Sequence, residues 1–223
     1  MLTAAPLLLQ PVPDVTSLPG WTEGALSPFA RAFVTGLGDG LEAAALAMRL
    51  PVLLLALVGA AFVFRWAADW FGLWAGLLAL VLFTFDPNVL AHATLATTDL
   101  GLAVFGFISA CLLYRLLRRP SAALYVVAGV ALGLTLGSKS SGFLALLVLV
   151  PLFFVIRLAR KTSPLDALAE AAGLVGLAAL VLWALYRFEF RPVSGWGNLP
   201  LPFATQWEIW RGTQAHVREG HAA

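Results

Sequence analysis

Long apolar runs alternate with short polar breaks along this chain, and the runs set the elements it predicts. Six stretches are apolar over a length near that of a bilayer: about 42–64, 72–86, 98–117, 122–138, 141–157 and 166–186. A helix needs about 17–25 such residues to cross the hydrocarbon layer, so several of the six lie at the lower limit. Residues 1–41 mix short apolar runs with Pro, Gly, Asp14, Glu23 and Asp39, which predicts an interfacial helix followed by an outer loop. Residues 187–223 form a polar tail whose Trp196, Trp207 and Trp210 suit a membrane interface. The pattern predicts an all-α integral membrane protein, a polytopic bundle of about six transmembrane helices over 42–186 with interfacial helices and loops on its outer face.

Composition agrees. Hydrophobic residues make up 61% of the 223 and charged residues 12%, with a mean hydropathy of +0.89, far from a soluble domain. A net charge of +2 with scattered basic residues gives no footprint for nucleic acid. The single cysteine, Cys111, excludes an internal disulfide and a cysteine-based metal site. The glycines of 129–142 read as close helix packing. Arg115, Arg118 and Arg119 form one basic turn, Arg157, Arg160 and Lys161 another, and Arg65 marks a third on the same side. The positive-inside rule places these turns in the cytoplasm and both termini outside, together with the polar stretch 86–99. Arg187 and Arg191, flanking the last run, weigh mildly against that orientation.

The stretch Asp86 to Asp99 is the chain's most distinctive break. Pro87 suits the first turn of a helix and Asp86 before it can cap. From Leu90 onward nothing breaks a helix, and in a continuous helix His92 and Asp99, seven residues apart, share a face. Asp99 is the leading candidate for chemistry, as a catalytic or ligand-orienting carboxylate. The alternative is an acid favoured by the helix dipole at a helix N-terminus. His92 is a candidate catalytic partner, or else a hydrogen-bonded structural group. Thr98 can bond to backbone or ligand. Three or four metal ligands cannot be assembled nearby, so no metal site is expected.

Lys139 stands in Gly137-Ser138-Lys139-Ser140-Ser141-Gly142. An ammonium, hydroxyls and close backbone approach suit a phosphate. The alternative is a snorkelling lysine in a tight turn. The order of a nucleotide-binding P-loop is absent. Arg118 and Arg119 are topology determinants that also suit lipid headgroups.

These motifs carry a resemblance. Phe85-Asp86-Pro87-Asn88 through His92 to Thr97-Thr98-Asp99-Leu100 resembles the second outer loop of lipid-carrier-dependent glycosyltransferases, the GT-C enzymes related to protein O-mannosyltransferases. The run from Gly129 through Gly133, Ser138 and Lys139 to Gly142-Phe143 resembles that family's Gly-rich helix ending in a Thr/Ser-Lys-x-x-Gly turn. The similarity covers most of 1–186. It implies transfer of a sugar from a polyprenyl-phosphate donor to an acceptor at the outer membrane face, with membrane lipid and lipid-linked sugar as partners. It places Asp99 at the family's second acidic position and Lys139 toward the lipid phosphate, with Ser138, Thr98 and Asp86 as further substrate-binding candidates. The location it implies is a bacterial or archaeal plasma membrane, crossed several times. The family's first outer loop carries an Asp-Glu pair and then a His-Pro-Pro-Leu-like motif, and this sequence contains neither. Met1 to Leu9 resembles the segment just downstream of that motif, and Gln214 to His221 a stretch that continues in relatives. The resemblance thus implies an internal piece of a longer chain. Two other classes fit the composition: a small-solute or lipid permease using Asp99 and Lys139 as polar sites, and a non-catalytic membrane scaffold.

Overall fold

The computed structural model describes residues 2–21, 26–95, 97–193 and 200–208. Glu23, Trp196, Trp210 and the stretch 214–221 lie outside the described residues. The chain divides into two compact units, Met1–Leu100 and Gly101–Ala223.

The first unit opens with a 3-10 helix, Leu2–Leu9, and then α1, Leu26–Leu37. A 3-10 turn at Gly38–Gly40 leads into α2, Leu41–Phe71, so the region expected to be an outer loop is largely helical up to the first span. The span expected at 42–64 also runs further, to Phe71. Its last turns are supported by an Arg65–Asp69 ion pair at 3.0 Å, one helical turn apart. Gly72 stops it with φ +90°, a conformation that costs glycine little. α3, Leu73–Thr84, starts at once and folds back on α2. A Cβ on Gly76 would lie 2.8 Å from the Ala68 Cβ and 3.0 Å from the Phe64 carbonyl oxygen, so this hairpin closes because position 76 has no side chain. Around its tip Trp66 and Trp70 pack at 5.8 Å, and Trp70 and Trp74 are exposed, as an aromatic belt requires. α4, Pro87–Thr94, follows at an angle of 58° to α3. The span expected at 72–86 is therefore one arm of a bent pair.

The second unit holds most of α5, Asp99–Arg118, then α6, Ala122–Ser138, α7, Gly142–Ala159, and α8, Pro164–Leu185. α5 is the inner helix here: 56% of its apolar stretch is buried, against 17% for α7 and 22% for α8. Its Ser109 meets Thr135 of α6 across a fully buried contact, Oγ to Oγ1 3.1 Å. The α6–α8 contact is very close. Gly129, Gly133 and Gly137 form a stripe at four-residue spacing, and Leu177, Val181 and Leu185 of α8 press into it. This is the close packing that the glycines predict.

Among the described residues four helices are long and apolar enough to cross a membrane: the stretch Ser27–Phe71, α5, α7 and α8. The bent pair α3–α4 makes a fifth if it is one span, and α6 is a shorter apolar helix of 17 residues. Leu57, Leu78, Leu144, Val148 and Leu180 lie exposed on these helices, as in a bundle whose outer surface faces lipid. This is an all-α polytopic membrane fold, with one small exception beyond α8.

That exception is an antiparallel pair of three-residue strands, β1, Phe190–Pro192, and β2, Pro200–Pro202. It is fastened by charge. Arg191 donates to Glu189 Oε1 at 2.6 Å and to both oxygens of Glu208, at 2.9 and 2.6 Å. Glu189 in turn accepts from the Thr205 amide at 2.8 Å and its hydroxyl at 2.9 Å. Arg191 is thus held in a local network of ion pairs. Burial alone would raise the Glu189 carboxyl, but the Thr205 amide, the guanidinium and the Thr205 hydroxyl together hold it below the 4.5 of a free glutamate. A carboxyl held low in the folded state adds stability above pH 4.5, and that stability is lost as the pH falls through its folded value. Amide protection at Leu201 and Thr205, relative to the intrinsic exchange rate, is therefore expected to fall as the pH drops below 4.5 while α8 stays protected, and Glu189→Gln should show the lower protection already at about pH 7.

Candidate functional site

The polar stretch 86–99 builds two turns rather than one helix. Asp86, with φ −66° and ψ 125°, caps α4: its Oδ1 accepts from the amides of Asn88 at 2.9 Å and Val89 at 3.0 Å, with Pro87 as the first helical residue. The cap expected of Asp86 is present, and it commits that carboxylate to backbone amides.

α4 ends after two turns. Leu95 is extended, with φ −109° and ψ 145°, and α5 begins only at Asp99. His92 and Asp99 therefore stand on separate helices and share no helical face, contrary to what their spacing predicts for a continuous helix. The reason lies in the threonines, which compete with the helix for backbone and side-chain partners. Thr94 donates its hydroxyl back to the Ala91 carbonyl at 3.0 Å. Thr97 turns its amide to Leu95 O at 2.8 Å and sets its hydroxyl 3.2 Å from His92 Nδ1. That last contact holds the imidazole across the turn, and Nδ1 is its one hydrogen-bonded atom among the described residues. Sequence reasoning passed over Thr97 as the partner of His92. The signal was available, since a hydroxyl five residues beyond a histidine meets it only if the helix breaks between them.

Asp99 opens α5 as the acid of its first turn and is half-buried. Both readings of this residue are compatible with that place: the dipole favours a carboxylate there, and one face of it stays open to solvent. Thr98, just before it, is exposed.

The second polar turn lies in the other unit. α6 ends at Ser138, whose hydroxyl donates to Leu134 O at 2.8 Å and so stays with its own helix. Lys139 is exposed and extended, with φ −155° and ψ 150°, and its carbonyl accepts from the Gly142 amide at 2.8 Å. A Cβ on Gly142 would overlap the Thr135 carbonyl and lie 3.1 Å from the Leu136 Cα. The glycine that closes the Ser-Lys-x-x-Gly turn is thus required by backbone-to-backbone contact, and it presents Lys139 at the end of the helix pair. No group of three or more His, Cys, Asp or Glu side chains disposed to hold a metal ion occurs among the described residues.

The sequence model of the dolichyl-phosphate-mannose-protein mannosyltransferase family matches residues 26–189. The chain belongs to this family. It is an integral membrane protein of the GT-C glycosyltransferase type, and the match takes in both polar turns. Comparison with curated proteins and with solved structures yields no match. For a mannosyltransferase-family chain, the two turns acquire distinct chemical characters: a carboxylate and an imidazole at the α4–α5 turn, and a primary ammonium at the α6–α7 turn.

Proposed function

We propose that this chain serves transfer of a sugar from a polyprenyl-phosphate carrier to an acceptor at the outer membrane face. The observation that carries the reading is the family match across 26–189, which includes the Asp86–Asp99 and Ser138–Gly142 turns. It favours transfer over the permease and scaffold alternatives. In such a reaction an acceptor hydroxyl or amine attacks the anomeric carbon. The bond from that carbon to the phosphate oxygen breaks, its electron pair leaves with the phosphate, and the acceptor proton passes to a carboxylate. Lys139 offsets the charge growing on the phosphate. Asp99 orients the sugar or acceptor, with His92 and Thr98 beside it in sequence. Ser138 and Asp86 act one step back, by shaping the ends of α6 and α4.

One carboxylate does not readily both orient the sugar and take the proton, and the sequence holds no Asp-Glu pair to share the work. Purified 1–223 in lipid nanodiscs is therefore expected to bind a radiolabelled polyprenyl-phosphate sugar and to transfer none of it to added acceptors. Absence of binding would sink the proposal. Turnover that disappears in Asp99→Asn would reassign Asp99 as the base.

A further inference from the structure

The second unit has a pocket at the end opposite Lys139, where α5 and α7 finish and α6 and α8 begin. Its volume is about 360 Å³. Three of its walls are apolar, from Leu116, Pro120 and Phe153. The polar lining comes from Ser121, Arg157 and Glu170. This is the end that carries the arginine turns, and three candidate spans start or stop there, so the pocket lies at the depth of lipid headgroups.

Arg157 and Glu170 are held together but are far from saturated. Arg157 Nη2 donates to Glu170 Oε1 at 2.5 Å. Of the five donors on a guanidinium, that is the one used among the described residues, and Nε is shut from solvent with no partner. An ion pair kept for stability alone is better satisfied than this. The pair is fixed from behind. Tyr125 donates its hydroxyl to the Glu170 carbonyl at 2.6 Å, and its ring fits because Gly173 has no side chain in its way. Ser121 adds a hydroxyl that makes no capping bond and stands before the open first turn of α6. The pocket thus offers N–H donors and positive charge directly beside a carboxylate.

We propose that this pocket holds the headgroup of an amine-bearing zwitterionic phospholipid of the phosphatidylethanolamine class. Its phosphate takes the free edge of the Arg157 guanidinium and the Ser121 hydroxyl, and its ammonium donates to Glu170. The apolar walls receive the glycerol and the first acyl carbons. A simple anion would meet Glu170 as a repelling neighbour. A quaternary choline has no N–H to give that carboxylate. A primary ammonium satisfies both poles at once.

The test is competition among defined lipids for purified 1–223 in mixed micelles, read by native mass spectrometry. Dioleoyl phosphatidylethanolamine is expected to be retained about tenfold over the phosphatidylcholine, phosphatidylglycerol and diacylglycerol of the same chains. Soluble glycerophosphoethanolamine should compete far more weakly than the diacyl lipid, and equal competition would overturn the lipid as the source. Glu170→Gln should abolish the preference over phosphatidylcholine. Should that variant fail to fold, Ser121→Leu tests the phosphate contact instead, since it removes the hydroxyl, leaves the ion pair in place and should lower the preference for phosphatidylethanolamine over diacylglycerol. Retention of all four lipids alike by the wild-type chain, or an undiminished preference over diacylglycerol in a folded Ser121→Leu variant, would overturn the proposal.

Discussion

Gly133→Leu is expected to separate α6 from α8, lowering stability by about 3 kcal/mol, at the upper end of what an overpacked contact costs. A Cβ at position 133 would lie 2.5 Å from the Val181 Cβ and 2.8 Å from the Ala178 carbonyl oxygen. The first neighbour is a β-branched side chain with little rotamer freedom, and the second is backbone, so no side-chain movement relieves the overlap. The helices must move apart, and with them goes the close contact that small residues make between membrane helices. Gly176 provides the control. A Cβ there meets nothing within 4 Å, and Gly176→Ala should be neutral or stabilise by about 0.5–1 kcal/mol through helix propensity. Thermal unfolding in detergent, followed by circular dichroism, compares the two. Equal midpoints would mean that α6 and α8 are not in the contact described.

Lys139→Gln is expected to weaken binding of polyprenyl phosphate about tenfold, in keeping with the loss of one charge-assisted contact. The side chain is exposed at the end of α6, which keeps the effect at the low end of such contacts and makes it sensitive to ionic strength. Lys139→Arg should retain most of the affinity, because the charge persists. Gly142→Ala should lose as much as Lys139→Gln although it removes no charge, since the alanine Cβ would overlap the Thr135 carbonyl and force the turn open. Binding of fluorescent polyprenyl phosphate to nanodiscs, at low and high salt, distinguishes the cases. Unchanged affinity in Lys139→Gln would place the phosphate elsewhere.

The helices were legible because each rests on local signals. Asp86-Pro87 announces the start of α4 and the glycines of α6 announce a close neighbour, whereas α8 starts ahead of the run expected from 166, at Ser163-Pro164, where the serine hydroxyl accepts from the Asp166 amide at 3.2 Å. The errors have local causes too. A count of apolar residues places breaks near Gly72 and at Asp86, as found, but does not show that α2 runs on to Phe71 or that α3 pairs at 58° with α4 rather than standing as a span of its own. The threonines at 94 and 97 lower helix propensity only slightly, yet the Thr97 hydroxyl finds in the broken turn a partner, His92, that a helix would not give it. What stayed hidden depends on distant residues. Arg157 meets Glu170 across a turn and two helices, and Arg191 meets Glu208 across the strand pair; neither is a spacing that a single helix or strand marks in sequence. The candidate site was legible as two separate motifs, since each turn is built from its own neighbours.

The buried hydroxyl contact between α5 and α6 has a consequence for how these helices come together. Ser109 also donates to Phe105 O at 2.8 Å, and Thr135 to Ala131 O at 2.8 Å. Two hydroxyl hydrogens serve three contacts, so the bridge between the helices forms when one of them gives up its own carbonyl. Apart, each helix enters lipid with its hydroxyl already engaged and no polar group exposed. Together, they exchange one bond for another of similar strength, and the exchange works in one alignment of the two helices. The pair is a reversible latch: it selects the correct registration during assembly while adding little to the force that keeps the helices joined.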